Sequence, residues 1–77
     1  MSCSNGNTYV GLTDDPHRRK REHGNPRDWR VERNFSNERD ARDWEKREFG
    51  RPNHCGGTGG DGWRHGYKYT VTSQTRE

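Results

Sequence analysis

Asn5-Gly6-Asn7-Thr8-Tyr9-Val10-Gly11-Leu12-Thr13-Asp14-Asp15-Pro16 is the stretch on which the reading of this chain turns. Asn5-Gly6 suits the two central positions of a hairpin turn, where both residues take positive φ. Thr8 to Leu12 is β-branched and aromatic, the composition of a strand. Thr13-Asp14-Asp15-Pro16 then supplies a capping side chain, acid in a first turn and a proline near the first helical position. A helix is expected from about Pro16 to His23, halted by Gly24-Asn25-Pro26. Arg19 and His23 stand four apart in it and so share one face.

Beyond that helix, residues 29–35 alternate, which places Trp29, Val31, Arg33 and Phe35 on one side of a half-buried strand. Ser36 suits the N-cap of a second helix reaching about Phe49, and Gly50 and Pro52 close it. Ala41, Trp44, Glu45, Arg47 and Glu48 fall on or near one stripe of that helix. Residues 55–62 read as a glycine-rich loop. The loop lacks the Lys-Ser/Thr ending and following helix that a phosphate cradle requires. Residues 63–73 read as a C-terminal strand, with Tyr67, Tyr69 and Val71 at alternate positions.

With 77 residues the chain amounts to one small domain. Only 21% of its residues are hydrophobic against 35% charged, which by itself leaves disorder open. Val10, Leu12, Val31 and Val71 are its only Leu, Ile or Val residues. Against disorder stand a net charge of only +3 and eight large aromatics, enough for a small aromatic core. Arginine dominates the basic residues and matches phosphate geometry, so an anionic polymer is the natural partner. The same charges, interleaved with Asp and Glu, also fit a merely solvated surface. No signal peptide or long apolar run is present, which reads as a soluble, intracellular (cytoplasmic) protein with no membrane partner. Cys3 and Cys55 form no framework and are expected to be reduced thiols. Structural zinc is disfavoured, since no Cys-x-x-Cys occurs and adjacent His54-Cys55 can hardly hold one ion together. Trp63, with Arg64 and His65, reads either as a stacking platform for single strands or as a core tryptophan.

Taken in order, these segments resemble the GIY-YIG nuclease superfamily, its small single-domain members above all. Tyr9-Val10-Gly11 matches the second half of the name motif. Residues 13–23 resemble the family's Thr-x-x-x-x-x-Arg-x-x-x-His helix, and residues 41–45 its Ala-x-x-x-Glu helix. The match spans roughly residues 3–49, and Asn53 stands near the place of a later family asparagine. The strand that would carry the family's first tyrosine, ahead of Tyr9, is absent.

The resemblance implies an α+β fold, a small antiparallel sheet flanked by helices. It also implies a metal-dependent DNA endonuclease whose product keeps a 5′-phosphate and a 3′-hydroxyl. Glu45 would hold Mg2+ or Mn2+, Arg19 would bind the scissile phosphate, and His23 and Tyr9 would orient water or move a proton. Arg18, Arg21, Asn53 and Arg64 are expected to contact nucleic acid, with no small-molecule substrate. For the missing strand, the C-terminal segment is a substitute: Tyr67 or Tyr69, which share a face, would return the lost phenol. The alternative is an outer strand beside an incomplete site. Two rival functions stand beside the nuclease: a nucleic-acid-binding module that keeps the fold without catalysis, and a partner-binding or regulatory protein with no nucleic-acid role.

Overall fold

The computed structural model describes residues 3–57 and 62–76. In chain order its elements are β1 (Thr8–Thr13), α1 (Pro16–Glu22), β2 (Arg30–Asn34), α2 (Glu38–Phe49), β3 (His54–Cys55) and β4 (His65–Thr70). Of the glycine-rich loop, residues 58–61 lie outside the described part. The four strands form one sheet in the order β2-β4-β1-β3. The C-terminal strand is therefore internal, antiparallel to β1 along its whole length from Thr8↔Thr70 to Thr13↔His65, and antiparallel to β2 on its other side.

The sheet is mixed where an antiparallel one was expected, because β3 runs parallel to β1 through Thr8↔His54 and Tyr9↔Cys55. A parallel neighbour needs a long crossover, and the segment containing α1, β2 and α2 provides it. The opening turn also departs from expectation. Asn7 N–H donates to the Ser4 carbonyl at 3.0 Å and Gly6 takes φ 94, but Asn5 is not in the positive-φ region. Among the described residues no strand precedes the turn, so it is not a hairpin. Instead Gly6 N–H donates to the Val71 carbonyl and Val71 N–H to the Asn7 carbonyl, each at 2.8 Å, joining the chain before β1 to the end of β4.

Both helices begin on side-chain caps. Asp15 accepts from Arg18 N–H at 3.2 Å and Asn37 from Asp40 N–H at 2.9 Å, so Asn37 rather than Ser36 caps α2. At the edge of the sheet, β2 shifts register between Val31, paired with Tyr67, and Arg33, paired with Gly66. The bulge turns the chain over. Trp29 packs with the tyrosines on one face of the sheet while Phe35 packs with Val10, Leu12, Ala41 and Trp44 on the other, so the single face expected for residues 29–35 does not form. Asp28 fixes the far end of β4, its carboxylate accepting from Thr70 N–H at 3.0 Å and from the Thr70 hydroxyl. Those bonds, outweighing the cost of burial, hold the Asp28 carboxyl below its ordinary value.

Two small clusters straddle the sheet. One is Tyr9, Cys55, Tyr67, Tyr69 and Val71, with Cys3 and Trp29 against it; the other is Val10, Leu12, Ala41 and Trp44, beneath α2, with Phe35, Phe49 and Trp63 against it. Trp63 thus serves as core, and its ring carries the Arg64 guanidinium 4.8 Å from the centroid. Lys68 is buried on the α2 side and pairs with Glu48 and, at 3.2 Å, with His54 Nε2.

Cys3 and Cys55 are joined in a disulfide, which overturns the expectation of reduced thiols. Pairing depends on tertiary proximity, and β3 brings Cys55 under the chain before β1. The bridge spans a sequence separation of 52, and the chain-entropy model gives a loop of that length about 4 kcal/mol of stabilisation. Reduction or Cys3→Ala is therefore expected to lower Tm by roughly 10 °C or more. Thermal unfolding with and without reductant checks this, and an unmoved Tm counts against any contribution from the bridge. Among the described residues no helix is long and apolar enough to cross a membrane.

Candidate functional site

The tyrosines converge because of strand registry. Tyr9 and Tyr69 are cross-strand partners, as are Gly11 and Tyr67, so all three phenols rise from one face of β1 and β4. Glycine at position 11 is required here: a Cβ would collide with the Tyr67 ring and hydroxyl, which cross over β1 at that point. Tyr67 and Tyr69 are fully buried.

His23, at the C-cap of α1, reaches the same place and is itself 2% exposed. Its Nε2 lies 2.8 Å from the Tyr67 hydroxyl, and its Nδ1 lies 2.9 Å from the Tyr69 hydroxyl and 2.5 Å from the Arg76 carbonyl oxygen. The Tyr9 ring sits 4.8 Å from the imidazole, and its hydroxyl accepts from Gly57 N–H at 3.2 Å. Trp29 stacks on Tyr67 with ring centroids 4.3 Å apart.

Arg19, one turn before His23, lies against the Tyr67 phenol and donates to Glu22 at 2.9 Å. Burial opposes its charge, but the phenol and Glu22 outweigh burial and keep the guanidinium above its ordinary value. Burial pushes the Tyr67 phenol strongly upward; Tyr9 and Glu45 push the same way and Arg19 pulls back. Tyr67 is therefore a protonated donor across the physiological range. Glu45, on α2, is mostly covered, and burial raises its carboxyl despite an ion pair with Arg42 at 3.6 Å.

Tyr9, Arg19, His23, Tyr67 and Tyr69 thus form one cluster. Glu45 belongs to its electrostatic surroundings, since its charge acts on Tyr67. Arg18 and Arg21 lie exposed on α1 beside it, Arg18 pairing with Glu22 at 3.8 Å. Arg64 is held by Asp14 at 2.7 Å. Asn53 sits exposed at φ 60, its carbonyl accepting from Thr8 N–H at 2.8 Å as β3 begins. Three participants were not anticipated. Trp29 carried an aromatic signal assigned to a strand face, whereas Gly57 N–H and the Arg76 carbonyl are backbone groups without a residue signature.

Alongside, a groove of about 380 Å³ runs between α1 and β2, with Trp29 and Val31 as its floor and His17, Lys20 and His65 at its rim. Val31, 41% exposed, is the exposed large hydrophobic among the described residues. No family model, no curated protein and no solved structure matches the chain.

Proposed function

We propose that this domain hydrolyses phosphodiester bonds in DNA with the help of one divalent cation, in the manner of GIY-YIG nucleases, with β4 standing in for the family's first strand. The observation that carries this reading is the convergence of both chain ends on one site: Tyr67 between His23 and Arg19, within reach of the Glu45 charge. In that family arrangement a first-strand phenol faces the helix Arg and His. Here β4 lies against β1, in the position such a strand would take, and Tyr67 rather than Tyr69 is the phenol that meets Arg19.

Among the described residues no group of three or more His, Cys, Asp or Glu is placed to hold a metal. A single carboxylate still fits magnesium, which keeps most of its water and takes its other ligands from phosphate oxygens. Glu45 suits that role because its charge is under-compensated: burial raises its carboxyl even with Arg42 alongside. When bound, the cation would neutralise charge on the phosphate and the leaving oxygen.

This chain's own groups divide the remaining work. Arg19 offers a fixed positive charge to the phosphate as negative charge builds in the transition state. Tyr67 Oη and His23 Nε2, 2.8 Å apart and both buried, would form a path for a proton from the attacking water once substrate binding uncovers the phenol. Trp29 and Val31 give an apolar floor beside that point, suited to the face of a base.

The contrast among neighbouring arginines tests the assignment. Arg19→Ala is expected to cost on the order of 3 kcal/mol in the cleavage barrier, near a hundredfold, whereas Arg18→Ala and Arg21→Ala change rate only slightly. All three remove one charge, so equal losses in single-turnover cleavage would point to a general charge effect instead. One observation favours the second reading, a binding module without catalysis: Arg42 already pairs with Glu45. Under that reading magnesium leaves the substrate intact while salt-dependent DNA binding persists.

A further inference from the structure

The tail after β4 grips His23 twice. Arg76 N–H donates to the His23 carbonyl at 2.8 Å, and the Arg76 carbonyl oxygen lies 2.5 Å from His23 Nδ1. Tyr69 reinforces the grip by donating to the same carbonyl at 3.1 Å. The tail is shaped for this by a local turn: Thr72 N–H donates to Thr75 Oγ1 at 3.0 Å, and Thr75 Oγ1 donates to the Thr72 carbonyl at 3.1 Å. Gly24, at φ 83, lets the turn approach, because a Cβ there would stand 2.8 Å from the Gln74 carbonyl oxygen.

A carbonyl oxygen only accepts. Two bare acceptors at 2.5 Å would repel, so His23 Nδ1 carries the hydrogen. Tyr69 fits that assignment, since its hydroxyl can donate to Arg76 and accept from Nδ1–H together. In the neutral ring Nε2 is then the bare nitrogen, and it accepts the Tyr67 hydroxyl at 2.8 Å. The other tautomer would set a bare Nδ1 against the Arg76 carbonyl oxygen, whereas the Tyr67 hydroxyl can donate to Nε2 or accept from it, so the Arg76 contact is what selects the tautomer.

We infer that the backbone carbonyl of Arg76 is a positioning group: it locks His23 in the Nδ1–H tautomer, so that Nε2 is the site that receives a proton through Tyr67. Tyr67 is buried in this structure, so the step this serves requires substrate binding to uncover its hydroxyl. One proton then moves from Tyr67 Oη to His23 Nε2 while the Tyr67 oxygen takes a proton from the attacking water. The imidazolium that results keeps its Nδ1–H on the Arg76 carbonyl, which favours the charged ring. Orientation of a histidine by an acceptor on its far nitrogen is the role a carboxylate fills in other sites; here a peptide group fills it. The tail thereby contributes a backbone group to the site, beside the Val71 side chain that packs with the tyrosines. The functional part of this inference rests on the proposed nuclease reading, whereas the tautomer does not.

The experiment compares three chains, residues 1–77, 1–76 and 1–75, by long-range 1H–15N NMR of the His23 ring and by single-turnover cleavage of DNA with magnesium. Chains 1–77 and 1–76 both keep an acceptor oxygen at Arg76 and are expected to show the Nδ1–H tautomer and to cleave, the terminal carboxylate of 1–76 holding Nδ1–H at least as firmly as the peptide carbonyl does. Chain 1–75 is expected to lose that tautomer and to lose rate on the order of tenfold or more, with KM little changed. Should 1–75 fail to fold, Thr75→Val, which unties the turn at full length, is read by the same two measurements. An unchanged His23 spectrum in the altered chain overturns the lock. A lost tautomer with an undiminished rate overturns the positioning role. If chain 1–77 does not cleave at all, the nuclease reading fails, and the spectra still decide the lock.

Discussion

Glu45→Ala is expected to abolish magnesium-dependent cleavage, by roughly a thousandfold or more, while affinity for duplex DNA stays level or rises. The carboxylate is the group proposed to hold the cation, and removing it also removes a negative charge that repels phosphate. The variant should remain folded. Burial sets the Glu45 carboxyl above its ordinary value. A carboxyl raised in the folded state binds protons more tightly there than in the unfolded chain. It therefore weakens the fold as pH climbs through its range, and at neutral pH alanine removes that cost. Tm is accordingly expected to hold or rise. Undiminished turnover with magnesium in Glu45→Ala would sink the metal assignment, and a folded variant excludes unfolding as the cause of any loss.

Deleting residues 66–77 is expected to unfold the domain outright. The deletion removes the strand that joins β1 to β2, and with it Tyr67, Tyr69 and Val71, of which none is more than 4% exposed. Truncating one large buried aromatic costs about 3–5 kcal/mol. A domain of this size has only roughly 4–12 kcal/mol of stability to lose. The two tyrosines alone come to about 6–10 kcal/mol, comparable to the whole reserve, before Val71 or any backbone bond of the sheet is considered. Circular dichroism of the truncated chain decides; a retained cooperative transition would show that β4 is an accessory.

Much of this arrangement was legible because local chemistry and tertiary structure agree. Thr8 to Leu12, the Asp15-Pro16 helix start and the alternation of Tyr67 and Tyr69 each carry their own period or cap, and each lies in the element read for it. β4 is nonetheless shorter than the 63–73 expected and leaves Val71 just beyond its end, and the expected acid is absent from the first turn of α1. The meeting of Arg19 with His23 follows from helix spacing, and the meeting of both with Tyr67 follows from an unfilled strand edge beside β1. What stayed hidden depends on neighbours distant in sequence. β3 has two residues and therefore no period. The bulge between Val31 and Arg33 breaks an alternation that looks unbroken in the sequence. Cys3 and Cys55 pair only because β3 lies beside β1, and neither their spacing nor their flanking residues announce it. Lys68 sits in the same alternating run as the tyrosines, and its burial depends on Glu48 from another element.

The pairing of β1 with β4 also governs when folding can happen during synthesis. β1 is made before its antiparallel partner, with α1, β2, α2 and β3 between them in the chain. At roughly 5–20 residues per second, β1 waits a few seconds for β4. The closing disulfide cannot form before Cys55 emerges either, and long-range closure of this kind folds slowly. For that interval β1 is a strand with open edges, the state most prone to pair with a neighbouring chain. Asp14 and Asp15 directly after it, with Arg18, Arg19, Lys20 and Arg21 beyond, place charge where such pairing would propagate. These charges, Arg19 among them, would thus guard the nascent chain, so neutral replacements on α1 should raise aggregation during synthesis more than they lower the stability of the finished domain.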